Sequence, residues 1–201
     1  MTRRFVQLFL RAGAQGVPVA GVVAADWSPA GGLLLYWAES VLLLAATAIL
    51  LALFARRGAD PAEIARAGIR TRDVLLVHGG AFGIFGVFLA GILFIFVDKG
   101  FIAPGAIGDA VAGLPWIALF VAVELAVDLA RLRTARAADL ARRVNAGSRR
   151  LLLFWLVGFL GSLAMVLSGK PLLLFALFAG FKILFEIGAV LGRAAGAKAA
   201  G

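Results

Sequence analysis

The chain predicts an all-α protein: a polytopic membrane helical bundle of six transmembrane helices, with both termini in the cytoplasm. Three features of the sequence point there. Of its 201 residues, 63% are hydrophobic and 15% charged, too apolar a mixture for an ordinary soluble domain. Several runs of about 20 apolar residues each would cross a hydrocarbon core of roughly 30 Å as helices. The arginines gather in segments that a six-span path places on one side. The alternating ten-residue segments of a transmembrane barrel are absent. With no cysteine in the chain, disulfides and thiolate metal sites are excluded.

The first span covers roughly 5–25. Its start resembles a signal peptide, basic and then apolar, but Arg11 interrupts the apolar run. Arg4, Gln7, Arg11 and Gln15 recur at three- and four-residue spacing, a polar stripe on one helix face. A retained helix packing that stripe inward is expected. After "DWSPA", Pro29 is placed to start the second span, roughly 31–54. The polar segment "RRGADPAEIARAGIRTRD" carries Asp60, Pro61 and Glu63 at N-cap, N1 and N3 spacing, which predicts a short surface helix. The third span, roughly 74–97, lines Gly79, Gly83, Gly86 and Ala90 along one face, so that a second helix can approach closely. No strand pattern precedes these glycines, so they do not form a nucleotide-binding loop.

The fourth span covers roughly 110–131, and the arginine-rich "RLRTARAADLARRVNAGSRR" is expected to continue it until Asn145 to Gly147. The fifth covers roughly 151–168. After "SGKP", Pro171 is placed to start the sixth, roughly 171–191. Residues 1–201 read as a single integral-membrane domain, with no repeat and no low-complexity stretch.

The two long polar segments hold most of the arginines, and a six-span path puts them with both termini. The opposite side receives Lys99 and Lys170, beside Asp26, Asp98 and Asp109. This is the positive-inside asymmetry of a multi-pass protein of the cell inner membrane. Nucleic acid is not an expected partner, because no base-stacking aromatics lie among those arginines. The expected partners are the bilayer and anionic lipids at its cytoplasmic face, with a homo-oligomer left open.

Polar residues inside the spans are the candidate site. A charge at a helix centre costs about 2.5–3.5 kcal/mol on insertion scales, so each must be paired, protonated, hydrated or metal-bound. Counting about 1.5 Å per residue, Glu39 lies in the outer half of the membrane and Lys182 near the middle. Glu124, Glu186, His78, Asp128 and Arg11 fall in the inner half. Lys182 and Glu186 are four apart and able to meet on one face, as are Glu124 and Asp128. Ion pairs that fix helix register are the bland explanation of this spacing. That explanation fits Glu39 least well, since Lys182 alone comes near its depth. Tyr36 precedes Glu39 by one turn, and Ser40 and Thr47 extend a polar strip along the second span.

The landmarks "LLLYWAESVLLL", "HGGAFGIFGVFL" and "KILFEIGAVLG" resemble those of an uncharacterised prokaryotic multi-pass membrane family. That family is similar in its Tyr-Trp-x-Glu second helix, His-Gly-rich third helix and Lys-x-x-x-acid last helix. Tyr36, Trp37, Glu39, His78, Lys182 and Glu186 match its pattern. The resemblance implies a fold and a set of polar residues, and no activity.

Three functions follow as expectations. The leading one is small-solute or proton-coupled transport along a route of Tyr36, Glu39, His78, Glu124, Asp128, Lys182 and Glu186. The alternative is a membrane-embedded enzyme or metal protein, with His78, Glu124 and Glu186 as ligands of a divalent metal such as zinc or iron. A single histidine rules out the two-histidine metalloprotease motifs, and no other cofactor is expected. The third is a structural or accessory membrane protein.

Overall fold

The computed structural model describes residues 3–57, 105–132 and 167–199 continuously. It also describes 76, 79–80, 83–84, 86–87, 90–91, 137, 140–141, 144–145, 156–158 and 160–161. Among the described residues all regular structure is helical, and four helices are described end to end: α1 (Arg3–Ala24), α2 (Pro29–Arg56), α3 (Ala106–Ala130) and α4 (Pro171–Ala199). They correspond to the first, second, fourth and sixth expected spans. The helix α3 begins a turn earlier than expected, and α4 runs on to Ala199. The third and fifth spans fall largely outside the described residues.

Local chemistry sets the ends of these helices. Asp26 takes a left-handed φ of 52° just past α1, which a short polar side chain tolerates. The N–H groups of Ala25 and Trp27 both return to the Gly21 carbonyl, at 3.1 and 3.0 Å. Ser28 then caps α2: its backbone is extended, its hydroxyl accepts from the Gly31 N–H at 3.1 Å, and Pro29 follows in the first turn. Gly169, at φ 67°, turns the chain into α4.

One strip of α2 is buried along its whole length. Gly32, Tyr36, Glu39, Leu43, Ala46, Leu50 and Phe54 follow spacings of three and four. Glu39 therefore belongs to the packing face, and α2 packs against all three other helices. Close approach at its start depends on missing side chains. A Cβ on Gly31 would lie 2.7 Å from Asp109 Cβ and 3.0 Å from the Ala106 carbonyl oxygen of α3. A Cβ on Gly32 would lie 2.4 Å from the Phe175 ring of α4 and 3.0 Å from Val22 of α1.

These contacts fix helix directions. The start of α2 meets the starts of both α3 and α4, while Leu43 and Ala46 pack with Ile117 and Val121 farther along α3. The helices α2, α3 and α4 are therefore parallel to one another, and α1 is antiparallel to them. Each of the two segments joining parallel neighbours, 57–105 and 131–170, must return the chain to the same end of the bundle.

The arginine-rich segment after α3 corrects one expectation. The helix does not continue to Asn145; it stops at Ala130, where the Arg131 N–H bonds the Asp128 and Leu129 carbonyls. Beyond it Ala137 and Leu140, with Ala141 and Val144, pack against Leu50, Leu51 and Phe54 of α2. Their spacing of three, one and three is that of an apolar stripe, buried against the end of α2.

The outer surface is apolar where the interior is polar. On α3, Ile107, Val111, Leu114, Leu119 and Val123 are exposed, whereas Glu124 is buried. Both α2 and α3 are long and apolar enough to cross a membrane.

Candidate functional site

Four helices contribute to two ion pairs, one buried and one part-buried. The first is built on α2, whose packing strip presents Tyr36 and Glu39 one turn apart to α1 and α4. Lys182 of α4 reaches Glu39 Oε2 in a salt bridge with both side chains sealed from the surface. The register that allows it is uniform. Phe175 meets Gly32, and Lys182 meets Glu39 seven residues later on each helix, as two parallel helices require.

The remaining carboxylate oxygen is also occupied: Gln15 of α1 donates its amide N–H to Glu39 Oε1 at 2.7 Å. Tyr36 completes the cluster. Its hydroxyl donates to the Gln15 backbone carbonyl at 3.3 Å. Its ring lies 4.3 Å from Lys182 Nζ, within cation–π range, and packs on Phe175 and Phe178. Glu39 thus has a cation on one oxygen and a neutral amide on the other, in a site walled by aromatic rings.

The second pair lies one turn away along α1. Arg11 reaches Glu124 of α3 at 3.4 Å. A cleft among α1, α2 and α3 joins the two pairs, lined by Arg11, Gln15, Glu39 and Glu124 together with Leu43 and Phe120. It measures about 260 Å³ counted out to its open mouth. Gln15 Oε1 is buried and has no hydrogen-bond partner among the described residues.

The expected site residues separate as follows. Tyr36, Glu39 and Lys182 come together, and Glu124 joins them through Arg11 and the cleft. Lys182 reaches Glu39 on another helix, and its expected pairing with Glu186 on its own helix lies outside the described residues. The side chain of Glu186 and all of His78 lie outside the described residues. Asp128 sits half-buried one turn beyond Glu124. Of the three expected metal ligands, Glu124 faces Arg11. Among the described residues no group of three His, Cys, Asp or Glu side chains is placed to hold a metal.

Ser40 and Thr47, read as part of the polar strip, bond the carbonyls of Tyr36 and Leu43 on their own helix at 3.0 and 2.8 Å. They are satisfied locally and add nothing to the site. Gln15 is the residue the sequence reading passed over. Its signal was present: it ends the Arg4, Gln7, Arg11, Gln15 stripe, one turn from an arginine that needed a carboxylate.

No curated protein and no solved structure matches the chain. A family model described as a family of unknown function, DUF6498, spans residues 2–201, and the chain belongs to that family.

Proposed function

We propose that the protein is a multi-pass protein of the cell inner membrane, with six spans and both termini cytoplasmic, that moves protons or a small solute past the buried Lys182–Glu39 pair. The observation that carries this is the inverted distribution of polarity. Glu39 and Lys182 are each 2% exposed, while leucines and valines of α2 and α3 face outward. Water-soluble proteins bury their apolar groups and solvate their charges; a chain in lipid does the reverse, and keeps intramembrane ionisable groups for function.

Helix directions support the six-span path, since parallel α2, α3 and α4 with antiparallel α1 is the order that alternating crossings generate. Arg56 and Arg57 are exposed where α2 ends, which suits anionic lipid on the cytoplasmic side. The test is flux into liposomes holding the purified protein. Wild type should exceed empty liposomes, and Glu39→Gln should abolish the excess while leaving a monodisperse, helical protein. Equal flux with and without the protein would refute transport.

A second reading, a structural membrane protein whose ion pairs hold helix register, is favoured by the uniform α2–α4 offset and by the full pairing of Glu39. Wild-type flux equal to that of empty liposomes, with a Glu39→Gln variant less stable than wild type, would select it.

A further inference from the structure

We infer that the cleft between the two ion pairs holds a trapped water bound to Gln15 Oε1, and that this water carries protons between Glu124 and Glu39. The inference rests on the transport reading and names its substrate as the proton. Gln15 is 5% exposed, and its amide is asymmetric in a telling way. The N–H side is committed to Glu39 at 2.7 Å. The oxygen side is buried, faces the cleft and accepts from no described group.

A buried amide oxygen left without a donor is costly, and a water is the ordinary remedy where the space is polar and large enough. Both conditions are met. Arg11, Glu39 and Glu124 line the same cleft, and the cleft admits a water.

The balance of the step is simple. Glu124 in its protonated form gives a proton to the water, and the water passes a proton to Glu39, so the water is restored. Glu39 keeps lone pairs for this, because a carboxylate offers about four acceptor positions and Lys182 and Gln15 occupy two. Once Glu39 is neutral, its attraction for Lys182 is gone, and the ammonium is held by the Tyr36 ring 4.3 Å away. Loss of the proton from Glu39 remakes the pair. Gln15 is accordingly a positioning residue: it orients the water without exchanging a proton itself.

The experiment uses the full chain in liposomes loaded with a pH-sensitive dye, with proton influx driven by a potassium diffusion potential. Gln15→Leu removes the amide at similar size and should slow influx about tenfold, the equivalent of one lost hydrogen bond of about 1.4 kcal/mol. Infrared spectra taken in ordinary and oxygen-18 water should show an isotope-shifted band of a trapped water in the wild type, absent in Gln15→Leu. The band is read on the wild type first, so the inference stays testable if Gln15→Leu fails to fold. Influx that Glu39→Gln abolishes but Gln15→Leu leaves unchanged would overturn the water relay and spare the transport reading. No isotope-shifted band in the wild type would overturn the relay as well. Influx no faster than through empty liposomes would overturn both.

Discussion

The two ion pairs have the same chemistry and different surroundings. Lys182 and Glu39 are each 3% exposed at the side chain, in salt-bridge contact, with an amide and an aromatic ring beside them. Arg11 and Glu124 are 16% and 10% exposed, 3.4 Å apart, and open onto a cleft. A sealed pair has given up its hydration and depends on its partner, so removing one member leaves a charge with nothing to answer it. A pair at a cleft keeps access to water and loses less. The first should therefore control the integrity of the bundle, and the second its exchange with the outside.

The largest expected effect comes from breaking the sealed pair on one side only. Lys182→Met should destabilise the protein by about 3–5 kcal/mol, measured by unfolding in mixed micelles. Adding Glu39→Met should recover most of that loss, because two apolar groups replace two charges. A double variant as unstable as the single one would show that the pair is not the source of the effect. Next comes the register that brings the pair together. Gly32→Ala places a Cβ against Phe175 and Val22 and should cost about 1–3 kcal/mol by overpacking. It should weaken the coupling between Lys182 and Glu39 in a double-mutant cycle while leaving the coupling between Arg11 and Glu124 intact.

The open pair should respond less. Arg11→Met is expected to cost about 1 kcal/mol and to lose part of that effect in high salt. A cost equal to that of Lys182→Met would erase the contrast between the pairs. The smallest effect belongs to Tyr36→Phe, which removes a 3.3 Å hydrogen bond to the Gln15 carbonyl and keeps the ring over Lys182. About 0.5 kcal/mol is expected, read from the same unfolding curves.

Much of this was legible in the sequence, for identifiable reasons. Pro29 and Pro171 announced helix starts because proline is favoured in a first turn. The inward side of α1 at Arg11 and Gln15 was legible because polar residues at helical spacing in an apolar run share one face. Glu39 stood out by being a carboxylate in an apolar run. The contact of Lys182 with Glu39 was not legible. Spacing along a chain points to neighbours such as Glu186, four residues on, whereas a contact between helices follows from helix order around the bundle, which sequence periodicity does not encode. The same limit hid the turn after α3, where arginines at 131, 133 and 136 masked an apolar stripe of four residues.

The parallel arrangement of α2, α3 and α4 has an electrostatic consequence. A helix carries about half a positive charge at its start and half a negative charge at its end, and here three starts are gathered at one end of the bundle. Asp109 answers them: it sits in the first turn of α3, and its carboxylate accepts from the Ser28 N–H at 2.8 Å, at the threshold of α2. At the far end the carbonyl termini of α2 and α3 meet Arg56, Arg57 and Arg131. The bundle is thus polarised along its length, and the arginines that mark one side of the chain also neutralise the macrodipoles that end there.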